Sequence, residues 1–198
     1  MTAKTIVKRI QGKGKGWVFT PKDFMDIGSR AAVDQTLSRL ARKQTIRRLG
    51  RGLYDYPRQN RRLGVMAPPM DAVASAVARK TNSRLQVSGA QAANLLRLST
   101  QVPAHRTYLT DGPTRRICIG RQCINLLHSS PRNLIGAGET TGMVFQALRF
   151  FGRDGIDDAV MRRLRDQLPP RDKSALKRDA VQMPDWMNPV IDQIAEAA

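Results

Sequence analysis

The sequence has few acidic residues, few cysteines and no long apolar run. Its 198 residues include 16 Asp and Glu against 34 Lys and Arg, which gives a formal net charge of +18 at pH 7. Two cysteines are too few for a disulfide framework. No stretch of about 18 apolar residues could span a membrane, and the N-terminal segment lacks the apolar core of a secretory signal. We therefore expect a cytoplasmic protein.

The excess of positive charge lies in the first two-thirds of the chain. Residues 1–62 contain 16 basic and 4 acidic residues, a net charge of +12. Residues 63–133 contain 9 and 2, a net charge of +7, and residues 134–198 contain 9 and 10, a net charge of −1. Such a balance favours a polyanionic partner. A polybasic membrane patch is the alternative, but no lipidation signal accompanies it.

Helical and strand patterns alternate near the N-terminus. The spacing of apolar residues predicts a helix, a short strand, a brief helix, a longer helix and a hairpin. These elements lie at residues 2–13, 17–19, 20–28, 29–42 and 46–56. Ser29 is placed to cap the longer helix, and the basic hairpin turn is built on Gly50 and Gly52. This order is typical of a winged helix-turn-helix that binds DNA.

The longer helix and the hairpin supply candidate DNA contacts. Gln presents two hydrogen-bonding atoms in one plane to adenine, and Arg does so to guanine. Arginines of the hairpin are expected to meet phosphate or the minor groove, although alternating strand geometry cannot aim all of them alike. The candidate DNA-binding residues are Ser29, Arg30, Gln35, Ser38, Arg39, Arg42, Arg47, Arg48 and Arg51. A solvated polar surface is the alternative interpretation of each.

Composition predicts a domain boundary after the hairpin. Residues 61–69 are polar and basic and end in Pro68-Pro69, which indicates a linker with a semi-rigid end. We expect a DNA-binding domain over residues 1–60 and a second domain over residues 70–198. The second domain shows helical patterns at 70–80 and 88–96, strand patterns at 106–110, 115–119 and 123–127, and further helices from 141 onward. The predicted class is α+β, with a small antiparallel sheet in the second domain.

Neither a metal centre nor a catalytic site is well supported. Cys118, Cys123 and His128 have a C-x4-C-x4-H spacing, whereas zinc needs about four ligands and commonly a tighter cysteine pair. The two cysteines are better explained as small hydrophobic residues that face each other across a turn. No nucleophile and base occur at motif spacing. We expect no metal, no cofactor and no enzymatic activity.

Several segments together resemble a known family. The hairpin with its lead-in, LSRLARKQTIRRLGRGLYDYP (37–57), is similar to the N-terminal domain of the AbiEi-like antitoxins of type IV, abortive-infection toxin–antitoxin systems. The segments SGAQAAN (88–94), LSTQVPA (98–104) and YLTDGP (108–113) resemble the family's core motifs, and ALRFFG (147–152) and PDWM (184–187) its closing segment. The resemblance covers about residues 4–190. One departure is Gln44, where a turn glycine is common in the family.

The resemblance implies a repressor that binds the promoter of its own operon and counteracts a nucleotidyltransferase-like toxin. Its expected partners are double-stranded DNA, read as an inverted repeat by two copies of the chain, and that toxin. No membrane partner is expected. One alternative is a transcriptional regulator whose second domain senses a ligand or forms oligomers. Another is a nucleic-acid-modifying enzyme with a winged-helix specificity domain.

Overall fold

The computed structural model describes residues 2–196, which fall into two compact units of an α+β protein. The first unit contains residues up to Ser83 together with Ile117–Cys123. The second contains Arg84–Arg116 and the residues from Ile124 onward. This division lies some twenty residues further along the chain than the boundary that composition predicts.

The first unit follows the predicted order of elements. It consists of α1 (Thr2–Lys13), β1 (Val18–Phe19), a 3-10 helix (Pro21–Phe24), α2 (Arg30–Arg42), β2 (Arg47–Gly50), β3 (Leu53–Asp55), β4 (Gln59–Asn60), β5 (Gly64–Val65) and α3 (Met70–Thr81). The predicted first helix, Ser29-capped helix and hairpin are confirmed. The brief helix is also present, as a single turn of 3-10 type that starts at Pro21, where proline fits the first helical position.

A three-stranded antiparallel sheet and two amphipathic helices enclose the core of the first unit. The strand order is β1-β3-β2, and β3 pairs with both neighbours, for example through Phe19↔Tyr54 and Arg48↔Tyr54. The helices turn their apolar residues toward the sheet, as their period requires. The buried cluster consists of Ile6, Ile10, Phe19, Phe24, Val33, Leu37, Ile46 and Tyr54.

The end of α2 is a left-handed turn. Gln44 has a φ of +57°. The Thr45 amide donates to the Leu40 carbonyl at 3.0 Å, and the Gln44 amide donates to the Ala41 carbonyl at 3.0 Å. These two bonds define a Schellman motif, which favours glycine at the left-handed position. The glutamine therefore occupies a backbone conformation that glycine adopts most readily.

A second small hairpin overlaps the start of the predicted linker. Strands β4 and β5 pair through Gln59↔Val65 and Asn60↔Gly64. The Asn60 side-chain oxygen accepts from the amides of Arg62 and Leu63, and Gly64 takes a φ of +71°. Asparagine favours such a turn because its side chain can bond the backbone two residues later.

Helix α3 belongs to the first unit rather than to the second. It packs against β1 and the 3-10 helix. Arg79 of α3 donates to a carboxylate oxygen of Asp23 at 2.9 Å and to the carbonyl of Val18 at 2.9 Å. The assignment of residues 70–80 to the second domain therefore differs from the structure, because an amphipathic pattern shows that a helix buries a face but does not show against what.

The second unit carries a four-stranded sheet beside a helical bundle. Its elements are β6 (Leu85–Val87), α4 (Gly89–Leu95), β7 (Arg106–Thr110), β8 (Arg115–Ile119), β9 (Gln122–His128), α5 (Thr140–Phe151), α6 (Asp158–Gln167), α7 (Pro170–Ala180) and α8 (Met187–Ala195), with 3-10 helices at Pro131–Leu134 and Arg153–Gly155. The tip of the β8–β9 hairpin, residues 117–123, groups with the first unit.

The sheet is mixed, so the prediction of an antiparallel sheet holds for only part of it. The strand order is β6-β7-β9-β8. Strands β6 and β7 are antiparallel, but β7 and β9 are parallel, with Tyr108 opposite Leu126. The chain leaves β7, forms the edge strand β8 and returns through the Gly120 turn as β9. Because two reversals separate β7 from β9, these two strands run the same way.

Small residues allow α4 to approach α5 closely. A Cβ atom on Gly89 would lie 2.7 Å from the Gln146 carbonyl oxygen, so a side chain does not fit there. Ala92 and Ala93 on the same helix are fully buried. The cluster around this contact extends through Phe145 and Leu148 to α6, α7 and α8.

The two cysteines form a disulfide. The sulfur atoms of Cys118 and Cys123 are joined at 2.04 Å across the β8–β9 turn. The expectation that they face each other is confirmed, but the expectation of two reduced hydrophobic side chains is wrong. The hairpin brings their Cα atoms to 4.1 Å, which is well inside the limit of about 7 Å beyond which two cysteines cannot be bridged. The pair is therefore not available as thiolate ligands for a metal.

Candidate nucleic-acid interface

Helix α2 presents a polar face to solvent. Ser29 caps its start by accepting a hydrogen bond from the amide of Ala32 at 3.4 Å. Val33 and Leu37 are fully buried. The opposite side of the helix is exposed and carries Gln35, Ser38, Arg39 and Arg42. Such a face combines planar hydrogen-bonding groups with positive charge.

Arg30 is engaged within the same helix. Its Nε donates to a carboxylate oxygen of Asp34 at 2.8 Å, one turn further along. Both side chains remain half exposed, so the pair is a weak surface ion pair. Arg30 stays accessible, but contact with DNA would require it to leave or share this carboxylate.

The arginines of the β2–β3 hairpin fall into two groups. Arg47 binds Asp55 through two bonds, from Nε at 3.0 Å and from Nη2 at 2.6 Å, and also donates to the Met66 carbonyl. Asp55 is 1% exposed and the Arg47 side chain is 32% exposed, so the carboxylate lies in the interior of the unit and the guanidinium covers it at the surface. Arg48 and Arg51 are exposed near the turn. The geometry therefore favours Arg48 and Arg51 over Arg47 as DNA contacts.

Every carboxylate in residues 1–62 is bound by an arginine. The pairs are Arg79–Asp23 at 2.9 Å, Arg9–Asp26 at 2.6 Å, Arg30–Asp34 at 2.8 Å and Arg47–Asp55 at 2.6 Å. The hydrogen bonds from Arg9 hold the pKa of Asp26 below its usual range. The four acidic residues of this segment are thus locally compensated.

Sequence reasoning missed several basic residues beside these candidates. Lys43 is exposed at the end of α2, and Arg58, Arg61 and Arg62 are exposed in the β4–β5 hairpin. Arg58 donates to the carbonyl of Lys15 at 3.0 Å, which ties the start of this hairpin to the glycine-rich turn after α1. The run Asn60-Arg61-Arg62-Leu63-Gly64 has the composition of a basic turn, and that signal could have identified a second hairpin.

The family-like segments of the second unit build turns. In YLTDGP, Asp111 accepts from the amide and the side chain of Arg84 at 2.8 and 3.0 Å, and these bonds hold the pKa of Asp111 below its usual range. Thr110 accepts from the Gly112 amide at 3.1 Å. Near STQVPA, the Asn94 side chain donates to the carbonyls of Ser99 and Gln101 at 3.3 and 3.0 Å. These residues therefore have structural roles.

Among the described residues, helices long and apolar enough to cross a membrane are absent. The polar contacts described above lie within one or the other compact unit. The candidate DNA-binding residues from Ser29 to Arg51 all belong to the first unit.

Comparisons with known proteins identify a family and a remote structural likeness. No curated protein matches the chain. The crystal structure of the RV2827C protein from Mycobacterium tuberculosis is similar at 14% sequence identity and a TM-score of 0.40, over 91% of this chain and 73% of that one. Residues 5–176 match the family described as "Family of unknown function (DUF6088)". Because this match spans most of the sequence, the protein belongs to DUF6088.

Proposed function

We propose that the first unit is a winged helix-turn-helix that binds promoter DNA, and that the protein is an antitoxin that represses its own operon. One observation carries the DNA-binding part. The exposed face of α2, with Gln35, Ser38 and Arg42, is followed directly by a hairpin whose Arg48 and Arg51 have no carboxylate partner among the described residues. A helix with groups that read bases beside a basic hairpin suits the major groove and the adjacent backbone.

The topology of the first unit supports this proposal. A 3-10 turn and α2 follow β1, and β3 lies between β1 and β2 in an antiparallel sheet. The sheet fixes the hairpin relative to the helices through the shared core. In this arrangement α2 is the recognition helix and the β2–β3 turn is the wing. Two copies on an inverted repeat would place their recognition helices about one helical turn of DNA apart.

The candidate residues divide by their expected role. Gln35 and Arg42 can form paired hydrogen bonds with base edges, and Ser38 can bond either donor or acceptor. Arg39, Arg48 and Arg51 suit phosphate contacts, which add affinity without sequence information. Arg30 and Arg47 have carboxylate partners, so each would bind DNA only at the expense of an existing ion pair.

The antitoxin role rests on the resemblance to the AbiEi-like family. The segments SGAQAAN, LSTQVPA and YLTDGP lie in the second unit, outside the proposed winged helix. The partner would be a nucleotidyltransferase-like toxin encoded beside this gene. Co-expression with that neighbour tests the role: the full chain is expected to restore growth. Continued toxicity with abundant, folded full-length protein would contradict it.

Fluorescence anisotropy with the intact protein tests the DNA-binding part. Gln35→Ala is expected to lose about 1–3 kcal/mol of discrimination at one base position. Arg51→Ala is expected to weaken binding to all sequences and to reduce the salt slope by about one unit. Arg162→Ala on α6 removes the same charge from an exposed position of the second unit and serves as the control. Equal losses for Arg51→Ala and Arg162→Ala would show that only net charge matters.

A further inference from the structure

A positively charged cavity opens in the second unit. It has a volume of about 750 Å³ and lies beside the 3-10 helix Pro131–Leu134, the end of α5 and the segment after α7. Its polar lining includes Arg132 and Arg149 together with neutral groups of Ser130, Asn133 and Gln182. Within the described part of the chain, this lining contains no Asp or Glu. The lining therefore carries two cationic side chains and no acidic one.

Arg149 is partly buried in this cavity without an acidic partner. Its guanidinium donates to the Asn133 side-chain oxygen at 2.5 Å, to the Arg132 carbonyl at 3.3 Å and to the Met183 sulfur at 3.6 Å. These acceptors are all neutral. Burial lowers the pKa of Arg149, which reflects the cost of removing its charge from water. A buried cation without a counter-charge is unfavourable, and an anion in the cavity would compensate it.

Hydrogen bonds to Asn133 orient this residue toward the guanidinium of Arg149. Gln146, 5% exposed, donates from its side chain to the Asn133 backbone carbonyl at 2.7 Å, and the Asn133 side-chain Nδ2 donates to the Ser129 hydroxyl at 3.0 Å. Asn133 is thereby oriented with its oxygen toward Arg149. An arginine has five N–H donors, and three contacts to protein acceptors are made among the described residues. The guanidinium is thus both fixed and capable of further bonds.

We propose that this cavity binds the phosphate group of a small molecule through Arg149 and Arg132. The N–H groups of Arg149 that make no contact with protein acceptors can each donate to a phosphate oxygen, and such charge-assisted bonds are stronger than neutral ones. The volume lies within the range of about 300–1,000 Å³ that small-molecule sites occupy. Both inorganic phosphate and a nucleoside monophosphate have the required group. This site is independent of DNA binding by the first unit, so either can fail without the other.

Isothermal titration of the intact protein with inorganic phosphate and, separately, with AMP tests the assignment. Saturable binding of at least one is expected, and binding of AMP alone would identify an organic phosphate as the ligand. Arg132→Gln removes an exposed cation from the lining and should weaken binding about tenfold or more. Arg162→Gln on α6 makes the same charge change outside the cavity and should leave the affinity unchanged.

Arg149→Gln should abolish binding, but it also removes bonds that connect α5 to the Pro131–Leu134 turn. Its thermal unfolding must therefore be measured beside its affinity, and where it fails to fold, Arg132→Gln decides the question. Absence of saturable binding of either ligand to the wild type would overturn the proposal. Equal loss of affinity in the Arg132→Gln and Arg162→Gln variants would also overturn it, since that result reflects only the net charge of the chain.

Discussion

Replacement of Gln44 by glycine tests the geometry at the end of α2. Gln44 has a φ of +57° and an exposed side chain. The backbone bonds from Thr45 and Gln44 to the last turn of α2 fix this conformation. An L-residue with a left-handed backbone brings its Cβ close to the following carbonyl, whereas glycine has no Cβ. The substitution should therefore stabilise the folded first unit.

The size of the effect is a difference between two opposing contributions. Glycine removes the steric cost of the left-handed conformation, which stabilises the folded state by about 1–2 kcal/mol. Glycine increases the conformational entropy of the unfolded chain, which costs about 0.4–1 kcal/mol. The net expectation for Gln44→Gly is a gain of about 0.8 kcal/mol in the free energy of unfolding, which is the difference between the midpoints of these two ranges. In a unit of this size, such a change raises the melting temperature by about 2–8 °C.

Thermal unfolding followed by circular dichroism measures this change, and α2 supplies a matched control. Gln35 is also exposed but lies in the helix interior, so Gln35→Gly should destabilise the unit by about 0.5–1 kcal/mol. The same exchange of residue types thus has opposite expected signs inside α2 and just beyond its end. A destabilisation by Gln44→Gly that equals the effect of Gln35→Gly would refute the left-handed turn.

Three further expectations concern pairs of residues. Asp55→Ala should lower the free energy of unfolding by about 3 kcal/mol, because it leaves the guanidinium of Arg47 without its buried partner. Urea titration measures this change, and a loss as small as that of a surface substitution would show that the ion pair is solvated. The pKa of Asp111 is lower in the folded state than its ordinary value of 3.8, because Arg84 binds the ionised carboxylate. The ionised carboxylate therefore stabilises the folded state when the pH is above 3.8, and this stabilisation is lost as the pH falls through the lower pKa of the folded state. Asp111→Asn should therefore reduce the difference in stability between pH 7 and pH 2, and an unchanged difference would contradict the ion pair. Cys118 and Cys123 should resist alkylation in the native protein until a reductant is added, whereas immediate labelling of both thiols would show that the bond is absent.

The local elements of the first unit were predictable from sequence because their signals are local. The apolar stripe with Val33 and Leu37 predicts the face that α2 buries, and Ser29 marks its start. The two glycines around Arg51 predict the hairpin turn. Strands β4 and β5 were missed because each has only two residues, which is too short for an alternating pattern.

Pairings between distant residues were not predictable by the same reasoning. The sequence indicates three strands between residues 106 and 128, but it does not state which strands are neighbours, and β9 inserts between β7 and β8. Arg47 presents the same problem in the candidate interface. Its partner Asp55 lies eight residues away on the adjacent strand, so only the strand register reveals that this arginine is engaged.

The first unit has basic residues and neutral polar residues on its exposed surface. Basic residues attract any polyanion, whereas recognition of a DNA sequence also needs groups that bond base edges. Each carboxylate of residues 1–62 is bound by one arginine, and this segment keeps a net charge of +12. Binding to any DNA sequence through phosphate contacts would need only Lys and Arg on this surface. The exposed face of α2 instead places neutral Gln35 and Ser38 beside Arg42, and side chains of these types are able to distinguish base edges. Arg48 and Arg51 add charge at the hairpin. We infer that specificity resides in α2 and that the hairpin contributes mainly affinity.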